Sequence, residues 1–457
     1  MLVNENEIRS LLQALADVIK KTIDNERANG TLQPEEVEFS HWKVNQFTYG
    51  DNGITYGGAI SETVTKPSWF RAHRKLEKTI KQLPEYSDVL DHLTSILEGD
   101  QQTPYYIERF ISKLIYNILN IKVDETLANN LIITLIKDLK KEPVMCGSEA
   151  ELQGIILRPD EIEISHGTIL RKPRVEDLEK EIPVYDFMPL HHLPHPSAYL
   201  KIEFLGRNAR EIQIKVDTAV TILRLFKTGS VRYTTYRMYS ESITGFIGGT
   251  LTSGDTSPAQ ETYIVREEDT KELQNFWERI SSYIPDAFLE TYTGKVDHVA
   301  IAYKRYTDSL KQDGIMERRI ANAIMGLEAL FLKSGGELQE LQYRLSLRVG
   351  KLLANFSQDP IQVKKTIKDA YRVRSIFTHG GQLGYNEKRK LESKYKEMRG
   401  LLLSILDYLR ISLIISITIN IEKDEFIDII DDSLIIEKSN ERLKGLLSSA
   451  KYILECQ

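Results

Sequence analysis

The segment Pro360-Ile-Gln-Val-Lys-Lys-Thr-Ile-Lys-Asp-Ala-Tyr371-Arg-Val-Arg374-Ser-Ile-Phe-Thr-His379-Gly-Gly381 opens with a residue suited to the first turn of a helix and closes on two glycines that stop one. Between them the chain reads as helical to Phe377. Upstream, Ile320, Ile324, Leu327 and Phe331 make one apolar stripe at helical spacing, and Leu341, Leu345, Val349 and Leu352 make the next. Downstream, Glu387–Ile421 reads as one long helix, and a last one lies near Arg442–Leu454. Four or five helices with short connections predict an antiparallel bundle over residues 291–457.

Working outward, residues 146–290 have a different character. Leu152–Leu157, Ile162–Ile164, Thr168–Leu170, Tyr199–Phe204, Val231–Tyr239 and Tyr263–Val265 are short β-type runs. Helices are expected around Thr218–Phe226 and Glu272–Tyr283, with a Gly/Thr/Ser-rich loop at Gly245–Ser257. Residues 1–145 read as mostly helical: Ile8, Leu11, Leu12, Leu15, Val18 or Ile19, and Ile23 recur at helical spacing, as do Ile107, Phe110, Ile111, Leu114, Ile115 and Ile118. Gly50-Asp51-Asn52-Gly53, between Phe47-Thr-Tyr49 and Ile54-Thr-Tyr56, is a hairpin turn signal, since Asn and Gly tolerate positive φ. The expected fold class is therefore multidomain α+β, predominantly α, with a C-terminal antiparallel helical bundle.

The length of 457 residues supports two or three domains, and 41% hydrophobic against 28% charged residues excludes wholesale disorder. Two distant cysteines, Cys146 and Cys456, build neither a zinc site nor a disulfide framework, which points to a reducing compartment. The N-terminus is acidic and lacks signal-peptide features. The most apolar piece, Leu401–Ile421, is interrupted by Asp407 and Arg410, and its charge-free part runs only eleven residues, too short to span a bilayer. It reads as a buried helix, and the expected setting is cytoplasmic, with no membrane partner.

The net charge of −6 hides an asymmetry. Between Ile315 and Arg410 there are 18 Lys and Arg against 10 Asp and Glu, a local excess of +8, while the tail from Glu422 carries −4. A cationic module inside an acidic chain fits a polyanion partner, although solvated helix faces also carry such charge. Within that module, Tyr371–Gly380 holds the one segment with reaction chemistry. Metal-free RNA cleavage needs a proton carrier at the 2′-hydroxyl or the leaving oxygen, and a fixed cation for charge developing on the phosphate. His379, Arg374 and Arg372 supply both. Seven residues bring Arg372 and His379 to nearly one helix face, whereas five leave Arg374 about 140° away on a regular helix. The helix C-terminus also favours a cationic ring there.

The pattern Y-x-x-R-S-x-x-x-H-G near the end of a helix, with Leu327-Glu328-Ala329-Leu330 and Glu340-Leu-Gln-Tyr-Arg344-Leu-Ser-Leu-Arg348 upstream, resembles the HEPN superfamily and its ApeA-like branch over roughly residues 300–420. The resemblance implies a metal-independent endoribonuclease that needs no cofactor, with its site formed across a homodimer of HEPN bundles. It assigns Arg374 and His379 as the catalytic pair, Tyr371, Arg372 and Ser375 as supporting or RNA-binding neighbours, and Glu328 as an orienting carboxylate. It further implies anti-phage or toxin-type roles, with RNA (transfer RNA among the candidates) as substrate and a phage-derived trigger or an antitoxin as partner. Two copies of His379 around one phosphate would supply the acid and the base separately. A non-catalytic binding and dimerisation scaffold is the alternative.

Other candidates are weaker. His191-His192-x-x-His195 sits among prolines that prevent a helix, with no acidic ligand nearby, and reads as loop. Gly245-x-x-Gly248-Gly249 lacks the Lys-Ser/Thr of a phosphate loop. Arg232-Tyr233-x-x-Tyr236-Arg237-x-Tyr239 has stacking chemistry, but the same alternation marks any half-buried strand.

Overall fold

The structure, a computed structural model, describes residues 5–44, 47–50, 53–56, 59–97, 100–120, 125–178, 180–183, 196–244, 248–252, 261–311, 315–333 and 340–455. Most of this chain is helical, with antiparallel sheet inserted. The triple-histidine segment at 191–195 and Cys456 lie outside these residues.

The first core is built from α1 (Glu5–Ala28), α2 (Phe70–Lys81), α3 (Pro84–Ile96), α4 (Thr103–Asn120) and α5 (Glu125–Leu139). Helix α1 buries Ile8, Leu12, Leu15, Ala16, Ile19 and Ile23, the stripe that its spacing requires. Sequence periodicity did not reveal the sheet between α1 and α2. Strand β1 (Glu35–Val44) pairs antiparallel with β4 (Ala59–Ser68), and β2 (Phe47–Gly50) with β3 (Gly53–Tyr56) at the tip. The register Tyr49↔Ile54 and Gly50↔Gly53 places the hairpin where the glycines put it, residues 51–52 themselves lying outside the described chain.

The central sheet follows: β5 (Val144–Gln153), β6 (Ile155–Leu157), β7 (Glu161–Ser165), β8 (Thr168–Arg171), a turn of helix α6 (Val175–Leu178), β9 (Lys180–Pro183), β10 (Ala198–Gly206), α7 (Ala209–Phe226), β11 (Arg232–Ser240), β12 (Gly248–Thr252), β13 (Tyr263–Val265) and α8 (Asp269–Ile280). Its strand order is β12-β11-β5-β10-β8-β7, all neighbours antiparallel, while β9 joins the N-terminal hairpin and β13 pairs parallel with β6. Strand β7 shows the period-2 logic directly: Glu161 and Glu163 face solvent and Ile162 and Ile164 face the core. Two expectations change here. Gly248–Thr252, read as loop, is the edge strand β12, held by β11 rather than by propensity. Helix α7 starts nine residues earlier than its apolar run, because Asn208 caps it: the Asn208 side chain accepts the Glu211 N–H at 3.0 Å and donates back to the Glu211 carboxylate at 2.7 Å.

From His298 the described chain forms helices: α9 (His298–Lys311), α10 (Met316–Phe331), α11 (Leu341–Leu353), α12 (Pro360–Thr378), α13 (Tyr385–Tyr395), α14 (Met398–Thr418), α15 (Lys423–Asp432), α16 (Glu437–Leu446) and α17 (Ser448–Leu454). This is more than four or five. The long helix expected over Glu387–Ile421 is interrupted: Lys396 adopts φ +65° and Glu397 is extended, so α13 and α14 are separate elements. Gly400 permits that corner, because a Cβ there would collide with the Tyr395 carbonyl. Helices α9 and α10 run antiparallel, as Arg305–Asn322 and Ser309–Arg319 contacts require, and α11 and α12 do likewise through Gln342–Lys368 and Gly350–Pro360.

Among the described residues apolar burial falls in two clusters. One gathers Ile8 to Ile136 together with Ile243. The other runs from Val144 to Ile453, so the central sheet and the C-terminal helices share one interior. Helix α14 is its axis. It is long and apolar enough to cross a membrane by composition, yet Leu401, Leu402, Ile405, Leu406, Leu409 and Leu413 are sealed inside the fold. Its Arg410, only 8% exposed, donates to the terminal carbonyls of α7, Leu225 at 2.9 Å and Phe226 at 3.0 Å, and pairs with Asp407 at 2.8 Å. A cation there meets the negative end of the α7 dipole. A second tie is the buried Glu261, which holds Arg319 at 3.2 Å and Arg399 at 2.8 Å. A third is Arg348, 1% exposed, which grips Asp431 with two nitrogens at 2.8 and 2.7 Å.

Candidate active site

Helix α12 carries the segment Tyr371–His379, and both its ends are chemically specified. At the start the Asp359 carboxylate accepts the Ile361 N–H at 2.9 Å and Pro360 occupies the first turn. At the end Gly380 takes φ +74°, its N–H bonding the Phe377 carbonyl at 3.0 Å, while the Gly381 N–H reaches Ile376 at 2.9 Å. This two-bond closure leaves His379 as the capping residue, with φ −89° and ψ 13°. The imidazole is thereby put outside the regular helix. It is solvent-exposed, and among the described residues it makes no side-chain hydrogen bond.

Arg374 points elsewhere. Its Nη2 donates to Glu328 Oε2 on α10 at 3.0 Å, with the two side chains 25% and 15% exposed, and its guanidinium lies 5.5 Å from the Tyr371 ring centroid. The pair is single-toothed: Arg374 Nε is buried without a hydrogen-bond partner. Burial pushes the Glu328 carboxyl above its ordinary value, outweighing the opposing pull of Arg374 and the Tyr371 hydroxyl. The Tyr371 phenol is also raised, by burial first and then by the facing Glu328. Thus Arg374, Glu328 and Tyr371 form one cluster at the α10–α12 seam, and no hydrogen bond joins Arg374 to His379. The divergence follows from helical geometry.

Arg372, 65% exposed, lies on the outer face and pairs with Glu387 in the first turn of α13. Ser375 is half-buried and contributes its carbonyl, which accepts the His379 N–H at 3.2 Å. Around them Lys365, Arg372, Lys388, Arg389 and Lys390 are exposed. Two exposed aromatic rings accompany this surface. Tyr343 has Lys364 at 5.0 Å and Lys368 at 5.7 Å over its face, and Tyr385, 73% exposed, has Arg389 at 5.6 Å. Neither tyrosine was singled out from sequence. The Tyr385–Arg389 spacing of four on a helix was the available signal, whereas Tyr343 meets cations from a different helix and had none.

The remaining candidates resolve simply. Strand β11 is flanked by β5 and β12, with Arg232 and Tyr236 buried and Tyr233 and Tyr239 half-buried, as a structural strand requires. Among the described residues no cluster of three or more His, Cys, Asp or Glu side chains is placed to hold a metal ion. Cys146 is a buried thiol beside Ser240. Comparison with family models, curated proteins and solved structures finds no match.

Proposed function

We propose that the C-terminal helices form a HEPN-type bundle and that the chain is a metal-independent endoribonuclease. The reading rests on one observation above the rest: His379 stands exposed at the capped end of α12, beside a basic helix face with exposed tyrosines. In it, RNA lies along that face, its phosphates against Arg372 and the neighbouring lysines and its bases against the rings. The 2′-hydroxyl attacks phosphorus, the 5′-oxygen leaves, and His379 of one protomer and its copy in a homodimer serve as base and acid. Arg374 supplies a fixed cation after exchanging Glu328 for the phosphate, an exchange favoured by its single-toothed hold and by the pressure on Glu328 to take up a proton. Such an enzyme acts in anti-phage defence or as a growth-arresting toxin.

A second reading has its own support. Arg374 is committed to Glu328 and separated from His379, which suits a bundle that binds RNA and dimerises without cutting it. Incubating purified protein with RNA in EDTA separates them. Nuclease action requires cleavage by the wild type and its loss, by at least about a hundredfold, in His379→Ala and Arg374→Ala. Retained RNA binding with no cleavage in any of the three selects the scaffold.

A further inference from the structure

A cavity of about 640 Å³ opens in the first core between the β1–β4 hairpin and helices α2 and α4. That volume lies within the range of small-molecule sites, roughly 300–1,000 Å³. Its walls are aromatic: Phe39, Trp69, Phe70 and Tyr116 line it, with Phe70 60% and Tyr116 57% exposed, an unusual outlay of large apolar surface. Its charge is of one sign. Lys66, Arg109 and Lys113 line it and, among the described residues, no Asp or Glu does, although the whole chain is acidic at −6.

One face of α4 organises this lining, since Arg109, Lys113, Tyr116, Asn117 and Asn120 follow each other at helical spacing. Arg109 has no ion pair among the described residues; its Nε donates to the Tyr105 hydroxyl at 3.2 Å. Lys113 donates only to backbone carbonyls, Glu241 at 3.3 Å and Ser242 at 3.5 Å, and burial lowers the pKa of its ammonium. The nearby Asp138 is occupied, its Oδ2 accepting the N–H groups of Ile243 and Thr244 at 2.7 and 2.9 Å and the Ser242 hydroxyl at 3.1 Å. Arg109, half-buried and without an ion pair among the described residues, and Lys113, which hydrogen-bonds only carbonyls although the Asp138 and Glu241 carboxylates act on it from nearby, raise the local potential and favour an anion.

From the juxtaposition of these rings and cations we propose that the cavity binds a small planar anion of the nucleoside phosphate class, its ring system against the aromatic walls and its phosphate toward Arg109 and Lys113. The site shares no residue with helix α12 and does not depend on RNA cleavage. Calorimetric titration of the full chain in EDTA with ATP, GTP, CTP, UTP, adenosine and inorganic phosphate tests it. Saturable binding of at least one nucleotide is expected, with adenosine and inorganic phosphate each at least about tenfold weaker, since either lacks one half of the recognition. Arg109→Gln and Phe70→Ala should each weaken that nucleotide by about tenfold at unchanged thermal unfolding, while Arg372→Gln in the bundle leaves it unaltered. Lys113→Gln is a companion variant; should it misfold, Arg109→Gln and Phe70→Ala carry the test. No saturable binding of any nucleotide, binding of adenosine as tight as of its triphosphate, or binding indifferent to both Arg109→Gln and Phe70→Ala overturns the proposal.

Discussion

At the scale of the residue, the cluster of Arg374, Glu328 and Tyr371 is where stability and the proposed function meet. Glu328 is held above its ordinary pKa by burial, so the folded chain keeps that proton more tightly than the unfolded chain does. The resulting stability is fully present below the ordinary carboxyl value of about 4.5 and is lost as pH rises through the raised folded value. Replacing Glu328 by its neutral isostere removes this dependence. The melting temperature of Glu328→Gln relative to wild type should therefore be higher at pH 7 than at pH 4. A difference that is flat or reversed with pH means that Arg374 fully compensates the buried carboxylate. The identities of these residues were legible in the sequence as a motif, but their pairing was not. Spacing says that Arg374 leaves the face of His379 and is silent on which helix receives it, because Glu328 lies 46 residues away.

At the scale of the element, legibility followed local periodicity. Helix α12 was readable at both ends because Asp359-Pro360 and Gly380-Gly381 are local chemistry, and α1 because its stripe is regular. The β1–β4 hairpin was hidden because charged and polar residues interrupt its apolar ones, with Glu62, Thr63, Thr65 and Lys66 of β4 exposed, and because its strands are fixed by each other's ladder. The break at Lys396 was hidden because nothing in Lys-Tyr-Lys-Glu-Met announces a positive φ. Helix α14 illustrates how one element joins regions. Arg410 satisfies the last carbonyls of α7, and no apolar replacement can do so. Arg410→Ala should cost about 2 kcal/mol, near 1 for each orphaned carbonyl, read as a lower denaturation midpoint. A loss under about 0.5 kcal/mol would mean that water replaces the guanidinium and that the tie is incidental.

At the scale of the whole molecule, charge and burial divide the labour. Several arginines of the cationic segment are structural: Arg319, Arg348 and Arg410 are buried and engaged with carboxylates or carbonyls. The local +8 therefore overstates what a polyanion meets, and the exposed face of α12 and α13 is the part that remains available to one. Composition could not make that distinction, since it counts a sealed guanidinium and a solvated one alike. The cationic cavity of the first core and the basic helix face near the C-terminus are two separate positively charged surfaces. On the proposed function, the second surface performs transphosphorylation through His379. Its most direct test is mass analysis of the ends left on a short oligoribonucleotide cut by the purified protein in EDTA, beside the same strand carrying 2′-deoxyribose at the cut position. The account expects 2′,3′-cyclic phosphate and 5′-hydroxyl ends, no cut at the deoxy position, and no product from His379→Ala; 5′-phosphate ends, cleavage at the deoxy position, or equal product from the variant would contradict it.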